Sequence, residues 1–216
     1  MGIGRREFLK FVATALGGLA IDPAREIAVN GDYYVNTRLG LGFVKPGGWT
    51  LDVFRDFAAK HEGQIVHGLQ PGVDEEEFRR DQAATMVATI SKYGDAVRAF
   101  GPSITVFKNQ EDYPGAMPRG LEAITWGGID GWGSLLRDYE VLEEPSRGEV
   151  SRCACMRFKA RWLFEHRDIE PVVIEDETLL IDQGSLLYTI HLYDSPEEGE
   201  TAPEEFARFL EGLHLA

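Results

Sequence analysis

Apolar and polar positions alternate most clearly between residues 150 and 194, and a two-residue rhythm of this kind predicts β-strands. From Cys153 to Phe164 the even positions Ala154, Met156, Phe158, Ala160, Trp162 and Phe164 share one apolar face, while Arg157, Lys159 and Arg161 make the odd face cationic. A turn at Glu165-His166-Arg167-Asp168 leads to Val172-Val173-Ile174, the acidic triplet Glu175-Asp176-Glu177, and Leu179-Leu180-Ile181. Asp182-Gln183-Gly184-Ser185 turns the chain again, and Leu186, Tyr188, Ile190 and Leu192 complete a three-stranded antiparallel meander.

Shorter strands come first. Asn30-Gly31-Asp32 is a turn before Tyr33-Tyr34-Val35, and Leu41-Gly42-Phe43-Val44 ends at Lys45-Pro46-Gly47-Gly48-Trp49, where proline lacks a ladder donor. Leu51, Phe54, Phe57 and Ala58 recur at helical steps, so the spacing predicts a short helix over 50–61, and the acids Asp74 to Glu77 suit the first turn of another. Thr85 to Tyr93 and Ser103 to Phe107 read as strands that pair in a long-looped hairpin. From Pro118 to Tyr139 the positions Leu121, Ile124, Trp132, Leu135 and Leu136 suit a helix, interrupted by Gly127, Gly128, Gly131 and Gly133. Either the missing side chains let the backbone approach a sheet, or the helix breaks near Gly131. Thr201-Ala202-Pro203-Glu204 has capping-box spacing ahead of a helical stripe of Phe206, Phe209, Leu210 and Leu213 that covers a sheet face.

Of the 216 residues, 44% are hydrophobic and 27% charged, a globular mixture that excludes a disordered, collagenous or disulfide-dense chain. The net charge of -14 argues against nucleic-acid binding, since phosphates are repelled over most of the surface. Strands interleaved with helices predict an α+β protein, an α/β/α sandwich around a mainly antiparallel sheet.

The N-terminus carries an address. Arg5-Arg6-Glu7-Phe8-Leu9-Lys10 resembles the twin-arginine export signal, in which paired arginines, any residue, phenylalanine, leucine and lysine follow one another. The resemblance implies a chain that folds before crossing the membrane, with a periplasmic or secreted destination, and it assigns Arg5, Arg6, Phe8, Leu9 and Lys10 to the signal. Gly4 stands where the family prefers serine or threonine, and no clear cleavage site follows. The alternative is an amphipathic helix through Phe8, Phe11, Val12, Ala15 and Leu16 in a cytoplasmic protein. The apolar stretch is too short for a stable membrane span. Residues 1–20 are therefore read as a signal segment, 21–29 as a linker and 30–216 as one domain.

Several segments together resemble the PsbP-like superfamily, which includes the Mog proteins: Leu41 to Trp49 with its Lys-Pro-Gly-Gly-Trp ending, Val87 to Tyr93, Gly101 to Val106, and the strand Leu187 to Ile190 followed by the last helix. The resemblance implies a PsbP-like fold over about residues 30–215 that works by binding a protein partner or a small ligand, without shared catalytic residues.

Reactive constellations are otherwise sparse. His61-Glu62 and His67 lack zincin spacing, Ser185 lacks a nucleophile elbow, and Gly40 and Gly42 precede Lys45 where a dinucleotide fingerprint needs glycine. No strand leads into the glycines at 127–133 and no Lys-Ser/Thr pair follows them, so a phosphate loop is not favoured. His166 is expected in a turn, His191 on a strand and His214 near the end, each structural or solvated. Cys153 and Cys155 share a strand face, where they read as packed thiols, or alternatively as part of a soft-metal site. Arg157, Lys159 and Arg161 either pair with Glu175, Asp176 and Glu177 or form an anion or partner patch. The sequence thus predicts an exported binding or interaction protein with no cofactor motif; an enzyme, hydrolase-like, is the alternative. A deep pocket beside Trp49, Trp126 or Trp132 would help to separate binding from catalysis.

Overall fold

The computed structural model describes residues 27–52, 85–94, 100–110, 120–166, 169–184 and 186–216. The export signal, the expected helix beyond Asp52, the acidic turn at 74–78, His61, His67 and Ser185 lie outside the described residues.

Chain order is β1 (Ile27–Asn30), β2 (Tyr33–Asn36), β3 (Leu41–Val44), β4 (Thr50–Asp52), β5 (Met86–Ser91), β6 (Ser103–Gln110), α1 (Gly120–Leu135), β7 (Arg137–Val150), β8 (Cys153–His166), β9 (Ile169–Asp182), β10 (Leu186–Asp194), a 3-10 turn (Pro196–Glu198), α2 (Pro203–Glu211) and β11 (His214–Leu215). They form a four-stranded sheet, β1-β2-β3-β11, and a seven-stranded sheet, β4-β5-β6-β10-β9-β8-β7. Every pairing in both sheets is antiparallel.

The meander β8-β9-β10 and the β5-β6 hairpin stand where the alternation places them. The early strands β2 and β3 form where expected and belong to a second sheet completed by the C-terminal β11. β1 begins at Ile27, inside the stretch read as linker, and Thr50 to Asp52 is a strand paired with Thr89 to Ser91, not the start of a helix.

Each face of the large sheet has its own apolar cluster. On one face, Ile90, Ile104, Ile181, Tyr188 and Ile190 meet Tyr34 and Phe43 of the small sheet and Phe206, Phe209 and Leu213 at α2. Phe43 links the layers, stacked on Tyr34 at 4.5 Å between ring centroids and tilted against Phe209 at 5.4 Å. On the other face, Phe158, Ala160, Leu180 and Leu187 receive Ile129, with Leu121 and Ile124 packed alongside, so α1 lies over the centre of the meander.

α1 runs unbroken through its glycines, and the helix ends at Leu135 instead of near Tyr139. Cβ atoms placed at Gly127, Gly128 or Gly131 would meet nothing within 4 Å, so these glycines do not serve close approach to the sheet. Packing of Thr125 and Ile129 holds the helix against the propensity cost, about 1 kcal/mol per glycine relative to alanine. α2 also departs from expectation: Ala202 is the N-cap with no side-chain cap, and Pro203 occupies the first turn, so Thr201 does not cap.

In place of a side-chain cap, Asp194 Oδ1 accepts the Ala202 N–H at 3.0 Å. Desolvation pushes the Asp194 carboxyl up to about 6, with Glu175 adding, while the Ala202 bond, Lys159 and Lys92 pull it down. A raised acid holds its proton longer in the folded chain than in the unfolded one. Its contribution to stability therefore falls as pH rises from about 4 to about 6, by about 1 kcal/mol once solvent screening is allowed for. Asp194→Asn, which keeps the acceptor, is expected to gain stability over wild type across that window in urea titrations. An unchanged difference between the two proteins from pH 4 to 7 would contradict it.

Candidate functional site

The face beneath α1 holds the polar groups that bear on function. A cavity of about 200 Å3 is lined there by Phe107, Thr125, Trp132, Phe158, Thr178 and His191, among others. Thr125 and Trp132 come from α1, Phe107 from β6, and Thr178 and His191 stand directly opposite each other on β9 and β10. Gly128 also borders it, and its missing side chain leaves the space open.

Alternation along β9 explains how a carboxylate reaches this apolar face. Glu175 and Glu177 point one way, and Asp176, between them, joins the face of Ile174, Thr178 and Leu180. Asp176 is 8% exposed, Thr178 2% and His191 4%. His191 Nδ1 lies 2.9 Å from Asp176 Oδ2, and Thr178 Oγ1 donates to the same oxygen at 3.1 Å while standing 3.1 Å from Nδ1. A lone pair on Nδ1 would face a carboxylate oxygen, so Nδ1 carries a proton and donates it to Asp176. Asp176 Oδ1 is buried without a hydrogen-bond partner, as is Trp162 Nε1. Leaving such an atom unmatched costs on the order of 1–3 kcal/mol.

Rings fix the imidazole in place. Phe107 and Trp132 stand perpendicular to it at centroid distances of 5.7 and 6.4 Å, and Tyr193 stacks on it at 5.4 Å. Burial pushes the hydroxyls of Tyr139 and Tyr193 up, with the charge of Asp176 adding, so both remain protonated.

The cation row of β8 lies on the opposite face. Arg157 pairs with Glu177 and Lys159 with Glu175, while Arg161 Nη2 reaches Glu140 Oε2 on β7 at 2.6 Å. The acidic triplet therefore supplies two partners, Asp176 being turned to the other side, and a strand not expected from the sequence supplies the third. Ala154 is exposed at the end of the apolar row. Cys153 and Cys155 sit in the core with free thiols that burial pushes up. Among the described residues no group of three or more His, Cys, Asp or Glu could hold a metal ion. His166 closes β8 instead of lying in a turn, stacked on Phe164 at 6.2 Å. His214 lies in β11, and burial pushes its imidazole down. Trp132 lines the cavity, while Trp49 is buried against Phe206 and Trp126 is exposed on α1.

Sequence reasoning missed the convergence of Asp176, Thr178 and His191. The signal was present: a carboxylate at an apolar-phase position of β9, and a hairpin register about Gly184 that sets Thr178 against His191.

Among the described residues no helix is long and apolar enough to cross a membrane. No protein-family model matches the chain, and no curated protein does. Solved structures do. The cyanobacterial PsbP protein CyanoP of Synechocystis sp. PCC 6803 matches 93% of this chain and 99% of its own at 11% identity, with a TM-score of 0.51. Looser likenesses are protein PA94 of Pseudomonas aeruginosa (9% identity, 68% of this chain and 96% of its own, TM-score 0.42) and LpqN, involved in cell envelope biogenesis of Mycobacterium tuberculosis (11%, 82% and 90%, 0.41). Two antiparallel sheets and two α-helices among the described residues, with correspondence to CyanoP over 93% of the chain, give this chain a PsbP-like fold.

Proposed function

We propose that this chain is an exported binding protein, an α/β/α sandwich of the PsbP type, which receives a small ligand in the cavity between α1 and the large sheet. The observation that carries the reading is the cavity itself: aromatic walls around one buried, hydrogen-bonded His–Asp pair, the composition of a binding site with few polar anchors. The twin-arginine resemblance at Arg5 to Lys10 supports export.

The same pair is what a hydrolase-like enzyme would build on, and the geometry favours binding over it. In a nucleophilic triad the acid holds one ring nitrogen and the nucleophile meets the other. Here the hydroxyl of Thr178 and the carboxylate of Asp176 both gather at Nδ1. Thr178 therefore helps to position the ring and is not aligned for attack.

Small aromatic fragments titrated into labelled protein are expected to shift NMR signals of Thr125, Trp132, Thr178 and His191, and Gly128→Leu, which fills the space, is expected to abolish those shifts. Hydrolysis of p-nitrophenyl acetate that disappears in His191→Phe would instead support the enzyme. Arg5→Lys with Arg6→Lys is expected to hold the protein in the cytoplasm; unchanged fractionation would remove the export half of the proposal.

A further inference from the structure

We infer that the cavity beneath α1 selects a small primary amine with an aromatic body, bound as its ammonium. This deepens the binding reading above and rests on it. Protons decide the polarity of the guest. Thr125 Oγ1 donates to the Leu121 carbonyl at 2.8 Å, and Thr178 Oγ1 donates to Asp176 Oδ2 at 3.1 Å, so each hydroxyl has committed its one proton and offers lone pairs. His191 commits its Nδ1 proton to Asp176, and in that tautomer of the imidazole Nε2 is an acceptor. These three of the cavity-lining groups accept, and an ammonium group is three donors with no acceptor.

Charge and shape favour the same guest. Asp176 is a buried carboxylate directly behind Thr178 and His191, its Oδ1 has no partner, and no Lys or Arg stands among the described residues lining the cavity. A chain of net charge -14 attracts cations and repels carboxylates. Phe107, Trp132 and Phe158 supply rings whose faces attract a cation and whose area accepts an aromatic body. An apolar cavity of about 150 Å3 is known to hold benzene, so the 200 Å3 here accommodates one ring with a short arm.

Calorimetric titration of the full chain at neutral pH with benzylamine, benzyl alcohol, toluene and benzoate tests the inference. Benzylamine is expected to bind at least tenfold tighter than toluene, with benzyl alcohol between them and benzoate giving no binding. Asp176→Asn, which keeps an acceptor for His191 and Thr178 but removes the charge, is expected to weaken benzylamine about tenfold and leave toluene unchanged. Toluene binding as tightly as benzylamine, or benzoate binding best, would overturn the choice of an amine while leaving the cavity as a binding site. Silence of all four probes in the wild-type protein would overturn both.

Discussion

Replacing Phe209 by alanine is expected to lower the unfolding free energy by about 3–5 kcal/mol, the usual cost of emptying a ring-sized space in a core. Phe209 is fully buried on α2, and its ring meets Phe43 of the small sheet within a cluster that also holds Tyr34 of that sheet and Tyr188 and Ile190 of the large one. The side chain thus sits in the cluster that joins helix, small sheet and large sheet, and its loss opens a space there. Leu142→Ala on the edge strand β7 is the control: at 38% exposed, it is expected to change stability by no more than about 0.5 kcal/mol. Urea denaturation of both variants reads the difference directly. A loss under about 1 kcal/mol for Phe209→Ala would mean that α2 is not seated as described.

The second large effect belongs to the buried polar pair. Asp176→Ala removes the acceptor of both His191 Nδ1 and Thr178 Oγ1, leaving two buried donors facing an apolar gap. Leaving a buried donor without its acceptor costs about 1–3 kcal/mol, and the unpartnered Oδ1 of the wild type offsets part of the sum for two, so a loss of about 3 kcal/mol is expected. Asp176→Asn keeps an oxygen for both donors and is expected to retain most of the stability. If Asp176→Ala unfolds at the same denaturant concentration as wild type, the pair contributes nothing, and the positioned imidazole on which the binding reading depends is lost with it.

The contrast between β8 and β7 shows what the residues reveal and what they hide. β8 is an interior strand, buried on its even face, and that burial writes the alternation Met156, Phe158, Ala160, Trp162 into the sequence. β7 pairs on one side only, is mostly exposed, and carries Asp138, Glu140, Glu143, Glu144 and Glu149 with Pro145 among them. Charge, proline and repeated register shifts are how an edge strand avoids pairing with other chains, and each of them erases the apolar pattern by which a strand is recognised. The turn into β8 is equally silent: Ser151 and Arg152 both adopt positive φ, 51° and 64°, where Asn-Gly would have announced a tight hairpin.

The site was half legible. Strand faces follow from a period of two, so Asp176 opposite in phase to Glu175 and Glu177 could be read as a carboxylate on the apolar side. Its meeting with His191 needs the hairpin register, which a turn at Gly184 fixes only once both strand ends are known. The space between α1 and the sheet is not legible at all. It arises because Gly128 has no side chain there and because the helix is held at a distance by Ile129 and its neighbours, a tertiary property that no local pattern encodes.

Nitrogen-detected NMR of the His191 imidazole, recorded as benzylamine is added, bears most directly on a polar anchor poised beneath α1. The account predicts a free protein with the proton on Nδ1 and a bare Nε2, and an Nε2 resonance that moves to saturation while the Nδ1 proton stays in place. A proton found on Nε2 with Nδ1 bare, or an imidazole that does not respond to any cavity probe, would contradict it.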